Sequence, residues 1–191
     1  MFSYNLNKEF RSRLELVKNE IDTVLLNQED VNVRPEGYIH LYGVAQNCAM
    51  LAIKRGLDVE ICTIIGLLHD IYIYKEGNEK EHAMFGSIVA ENILRDLEMF
   101  SEDEIEIVKT AIIHHSDRVT KHDKYSELLK DADVLQNSLY LKKFDLKNKK
   151  RIKKVFKESG MKTRFKELAR EFVKTESRNF KIEGIEKPFN K

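Results

Sequence analysis

Residues 64–70 read Ile64, Ile65, Gly66, Leu67, Leu68, His69, Asp70, an unbroken apolar run that ends in an adjacent histidine and aspartate. A segment apolar on every side is buried, as a helix or as a strand. A histidine and a carboxylate at its end are then not ordinary surface groups. Buried without partners they would cost several kcal/mol, so they need hydrogen bonds, each other or a metal ion.

The rest of the chain narrows the choice. Its 191 residues suffice for one domain with a real core, or for one domain and an appendage. Only two prolines and eight glycines, with 34% charged residues, favour long amphipathic helices over a many-turned sandwich. Cys48 and Cys62 both sit in apolar helical pattern with no CxxC pair, as reduced core residues of a cytoplasmic protein do. No stretch of about 18 uncharged apolar residues is present, which argues against a membrane span. Residues 1–5 lack the basic-then-apolar layout of a signal peptide. Charge is uneven: residues 142–191 hold 18 Lys/Arg against 7 Asp/Glu, and the preceding residues 15 against 25.

Helical spacing predicts a first helix over 6–27, on Leu6, Phe10, Leu14, Val17, Ile21, Val24 and Leu25. Residues 32–37 read as a connector in which Pro35 breaks any helix. A second helix is predicted over 38–55, with His40 in its first turn and Gly56 as its stop. Asp58 caps a third that climbs to His69 and Asp70, and residues 75–80 form a polar turn. A fourth helix, 80–98, carries His82 on its apolar stripe; Ser101 and Glu104 open a fifth, to about 115, as a capping box. Residues 117–124 form a charged loop in which His122 is expected to face solvent. A sixth helix follows over 125–141, then a basic segment, 147–154, and a last amphipathic helix near 162–178. The expected fold class is all-α.

Five of the six histidines fall at predicted helix ends or on core-facing stripes. One such histidine would read as a satisfied core residue. Five with a buried aspartate point to a divalent ion, because imidazole and carboxylate suit such metals and helix bundles build metal sites from separate helices. No zinc-finger spacing is present, which argues against a structural zinc site.

His40-Leu41-Tyr42-Gly43-Val44, Gly66-Leu67-Leu68-His69-Asp70-Ile71 and Asp131-Ala132-Asp133-Val134-Leu135 follow one another in an order that resembles the HD-domain metal-dependent phosphohydrolase superfamily. His82-Ala83-Met84-Phe85-Gly86 and Ala111-Ile112-Ile113-His114-His115 are similar to the extra histidine motifs of its two-metal branches. In motif spacing the chain is most similar to bacterial enzymes that hydrolyse diadenosine tetraphosphate. The resemblance covers about residues 38–141. It implies an HD-domain helical bundle with a C-terminal helical extension: 1–35 packing on the core, 36–141 the metal-binding core, and 142–191 basic.

It implies also that His40, His69, Asp70 and Asp133 hold one ion, with Asp70 bridging to a second held by His82 and by His114 or His115. His115 is favoured because it continues the stripe of Ile105 and Ile112. The family pattern selects Asp133, whereas helical periodicity puts Asp131 nearer the buried face. One or two ions of Fe, Mn, Zn, Ni, Co or Mg are the implied cofactors. Many relatives carry a lysine three residues after the aspartate; here that position is Ile73, and Lys75 lies two further on.

The implied activity is hydrolysis of a phosphoester or phosphoanhydride in a small phosphorylated molecule, a nucleotide above all. Asp70 and Lys75 would be its catalytic residues, with Lys75, Arg118 and Lys121 as phosphate contacts. Some HD-domain relatives instead hold two irons and activate dioxygen. A third reading is not catalytic: the basic residues 142–154 could bind nucleic acid or another acidic partner. The plainer account of those charges is a solvated helix face. The acidic and basic parts could also pack together or on a second copy, giving a homodimer.

Overall fold

The computed structural model describes residues 12–140, 148–161 and 170, and these divide into two compact units between Gln136 and Asn137. Among the described residues every regular element is helical, as expected of an all-α chain. None of these helices is long and apolar enough to cross a membrane.

The first unit opens with α1 (Arg13–Leu26), whose Ser12 and Glu15 form a capping box and whose Leu16, Val17, Ile21 and Leu25 are buried. The helix therefore starts after Ser12, later than the expected start at residue 6; Leu6 and Phe10 lie outside the described residues. Helix α1 packs on the helices over Val59–Leu68, Ile71–Glu76 and His82–Leu97.

Pro35 does not break the chain into a connector. It lies in the first turn of the short helix α2 (Val33–Gly37), where the missing N–H has no intrahelical partner to lose. The chain runs on through a π-helical turn, Tyr38–Tyr42, into α3 (Gly43–Arg55). His40 sits in that π turn, a kind of irregularity that recurs at functional sites. Gly56 ends α3 in the left-handed conformation, φ 63°, as its sequence position suggests.

The apolar run becomes α4 (Val59–Leu68), capped by Asp58, whose carboxylate accepts from the Ile61 N–H at 2.9 Å. It packs against α3 so closely that a Cβ on Gly66 would stand 2.6 Å from the Cα of Ala45. Only glycine fits there. Residues 75 and 76, expected to open the polar turn, instead end an additional helix, α5 (Ile71–Glu76), which carries Lys75. Next come α6 (His82–Leu97) and α7 (Glu102–His114), packed on each other. The expected capping box is present: the Ser101 hydroxyl accepts from the Glu104 N–H, and the Glu104 carboxylate accepts from the Ser101 N–H.

Helix α8 (Lys124–Leu139) begins in the first unit and crosses the division at Asn137. Its residues 130–135 are all buried. Polar ties join it to α3: Arg55 pairs with Asp131 at 2.6 Å, and the Asn47 amide donates to the Ala132 carbonyl at 3.3 Å and to Gln136 Oε1 at 3.4 Å.

In the second unit, the basic segment is itself a helix, α9 (Lys149–Glu158), with Ile152, Val155 and Phe156 buried along one side. The amphipathic helix expected near 162–178 falls outside the described residues except for Arg170.

Candidate metal centre

Six of the helical ends, turns and faces built above bring their chemistry to one place. His69 is the residue that caps the C-terminal end of α4, and Asp70 follows it at the start of α5. His82 opens α6, His115 closes α7, and Asp133 lies mid-way along α8. His40 comes from the π turn before α3.

Three of the four histidines are oriented in the same way. The ring Nδ1–H of His69 donates to the Gly66 carbonyl at 2.8 Å, that of His82 to Glu79 at 2.7 Å and that of His115 to Ile112 at 2.6 Å. Each acceptor lies three residues earlier in the chain, and for His69 and His115 it is one of the last carbonyls of a helix. A carbonyl can only accept, so Nδ1 carries the proton and Nε2 of each neutral ring offers a lone pair inward.

Those lone pairs converge. Nε2 of His40 is 3.1 Å from Nε2 of His69, and Nε2 of His82 is 3.1 Å from Nε2 of His115. Asp70 stands between the two pairs. Its Oδ2 is 3.1 Å from both His40 and His69, while its Oδ1 is 3.2 Å from His115 and 3.6 Å from His82. Asp133 Oδ1 completes the first set, 3.8 Å from His40. The donor atoms thus form two groups, His40 with His69 and Asp133, and Asp70 with His82 and His115.

Ligands at about 2.1 Å from an ion, at right angles to each other, are about 3 Å apart. The spacing here matches that figure. Asp70 Oδ1 is buried and accepts no hydrogen bond. Lone pairs facing lone pairs and a carboxylate repel unless a cation lies among them, so the donor set fits a divalent ion in each group.

The electrostatics agree. Burial works to raise the Asp70 carboxyl, but the His69, His115 and His40 imidazoles around it hold it well below the usual range. Asp133 is likewise held down against its burial by Arg118 and by His69 and His40. Burial would lower His40 and His115, yet the Asp70 carboxylate beside them keeps both above the ordinary imidazole value.

The sequence candidates separate clearly in space. His40, His69, Asp70, His82, His115 and Asp133 come together. His114 does not join them: its ring stacks on His122 at 3.9 Å between centroids, with the Ser126 hydroxyl 3.4 Å from its Nδ1. His122 is therefore not the solvent-facing loop residue expected; it is half-buried, and the Lys130 ammonium donates to its Nδ1 at 2.7 Å. Asp131, the alternative to Asp133, is buried against Arg55. Lys75 and Lys121 are exposed, on α5 and in the loop before α8. Arg118 is engaged, pairing with Asp133 and donating to the Lys130 carbonyl at 2.9 Å. That pairing, and the carbonyls that orient the imidazoles, were not anticipated. Histidines at helix C-termini are the one sequence signal that could have indicated the latter.

A family model described as the HD domain matches residues 37–138, just over half of the chain and all six clustered residues. Comparison with curated proteins and with solved structures finds no match. The matched span and the histidine–aspartate cluster inside it lead to one conclusion: the chain belongs to the HD-domain family.

Proposed function

We propose that the chain is a metal-dependent phosphohydrolase that cleaves a phosphoester or phosphoanhydride bond of a nucleotide. The observation that supports this best is the position of Asp70, whose two carboxylate oxygens face different histidine pairs. A carboxylate placed so can bridge two ions. When bound, two divalent ions supply a nucleophile from water near neutral pH and offset charge on the attacking and leaving oxygens.

The protein's own groups prepare that chemistry. The carbonyls of Gly66, Glu79 and Ile112 fix three imidazoles with their lone pairs inward. Asp70 and Asp133 stay ionised despite burial. Lys75 and Lys121 are exposed and supply positive charge for the phosphates of an incoming substrate. Among nucleotides, dinucleoside polyphosphates are the first class to test, because the order of the histidine motifs resembles that of the enzymes that hydrolyse them. The buried free thiols of Cys48 and Cys62 suit a reducing compartment such as the cytoplasm.

The test is a panel of nucleotides, diadenosine tetraphosphate included, given to metal-loaded protein in ¹⁸O-water with and without dioxygen. The expected result is ¹⁸O in a phosphate group of the product, at a rate indifferent to dioxygen. Turnover that requires dioxygen, or no turnover of any phosphorylated compound, would overturn the reading.

A further inference from the structure

We infer that Arg118 is a positioning residue for the ion of the His40, His69 and Asp133 group: it holds the outer oxygen of Asp133 so that the inner one faces the ion. This rests on the metal-site reading above and assigns to Arg118 a role other than phosphate contact.

The geometry is a two-point hold. One end of the guanidinium, Nη2, pairs with Asp133 Oδ2, while Nη1 donates to the Lys130 carbonyl at 2.9 Å. Asp133 Oδ1 is left facing His40. Asp133 is almost wholly buried, only 4% exposed, so a carboxylate oxygen turned away from an ion there needs a donor of its own. A planar fork satisfies that oxygen and fixes the carboxylate plane together, which a flexible point charge does less well.

The loop that carries Arg118 is held in turn. Lys130 is fully buried, and its ammonium donates to the Thr120 carbonyl at 3.0 Å, to His122 Nδ1 at 2.7 Å and to Glu127 Oε1 at 3.0 Å. The Asp117 carboxylate accepts from the Val119 and Thr120 N–H groups at 2.9 and 3.0 Å. Lys130 therefore braces both sides of the contact: its side chain pins the loop, and its carbonyl receives the guanidinium. An arginine that reached for substrate would have to abandon a buried carboxylate. Exposed Lys75 and Lys121 carry no such penalty.

Groups that orient a metal ligand typically account for about 10–100-fold in metal affinity. Full-length protein stripped of metal is titrated with Co²⁺, followed by visible absorption and elemental analysis. Wild-type protein is expected to take two ions. In Arg118→Ala one of them weakens about 10–100-fold with the other unchanged, and in a His82→Ala background the remaining ion weakens by the same factor. Arg118→Lys, which keeps the charge and part of the packing, recovers some of the affinity and serves where the alanine variant does not fold. Steady-state kinetics at saturating Co²⁺ are read beside it. Wild-type Co²⁺ affinity in both Arg118 variants, with KM alone raised, would overturn the inference in favour of substrate contact. Wild-type protein that binds no Co²⁺ would overturn the metal-site reading itself.

Discussion

His114 and His115 are neighbours in sequence and end the same helix, yet they belong to two unlike clusters. His115 points its lone pair at Asp70 and His82, where donor atoms crowd together and one carboxylate oxygen accepts no hydrogen bond. His114 stacks on His122, beside a buried lysine whose ammonium has three acceptors. Both clusters are rich in histidine and carboxylate. The second contains its own cation in Lys130; in the first, Arg118 reaches only the outer oxygen of Asp133, and among the described residues no arginine or lysine pairs with Asp70. Convergence of lone pairs on one another, and not histidine number, is what singles out the first cluster as able to hold a metal ion.

That contrast can be broken most directly at His115. On the proposed function His115→Ala takes away one of the residues that would hold an ion, and hydrolytic activity is expected to fall by more than about 100-fold, beyond the loss typical of groups that only orient a ligand. Elemental analysis would show one ion fewer. Next in size is Lys130→Met, which deletes the internal cation of the other cluster. Chemical denaturation should show a loss of about 2–3 kcal/mol, since Glu127 and the Thr120 carbonyl lose a buried donor, with metal binding weakened but not abolished. Metal binding abolished there together with stability would mean that the two clusters are one.

A third expectation concerns pH in the metal-free protein. His40 and His115 are raised above 6.5, so their contribution is full below that pH and is lost as pH rises through their folded values. Asp70 and Asp133 are held below 3.8, so theirs is present above that pH and is lost as pH falls through their folded values. Metal-free stability should therefore be greatest between about pH 4 and 6.5 and decline toward pH 8. Saturating divalent ion, which displaces the same protons, should reverse the decline; denaturation at pH 5.5 and 8 with and without metal reads both. The smallest effect is expected of His114→Ala: about 1 kcal/mol of stability from the lost ring stack and no change in metal content.

Much of the fold was legible because local signals and burial agree. The Ser101–Glu104 capping box, the Asp58 cap and the left-handed Gly56 stand where their chemistry puts them. Pro35 misled because a proline that ends one helix also fits the first turn of the next. In the sequence α9 reads only as a basic segment, because its many lysines obscure the spacing of Ile152, Val155 and Phe156.

At the centre, the six clustered residues all lie among the sequence candidates, and for two pairs pattern favours one member without removing the other: the family order selects Asp133 against a periodicity that favours Asp131, and the stripe of Ile105 and Ile112 favours His115 over His114. Residues 130–135 are buried on every side of α8, so periodicity has no exposed face from which to tell Asp131 from Asp133. What separates them is a partner on another helix, Arg55, which claims Asp131. His114 and His115 are likewise divided by a loop that folds back to bring His122 to one of them. Such contacts span residues far apart in the chain or held by an irregular loop, and spacing along one helix carries no trace of them.

The central claim is that Asp70 joins two ion sites. It is tested by elemental analysis of purified, metal-reconstituted wild-type protein beside Asp70→Ala, with both checked for folding. The account expects about two divalent ions per wild-type chain and the loss of both, or of all tight binding, in the variant. A wild-type chain that holds no metal after reconstitution, or a folded variant that keeps both ions, would contradict it.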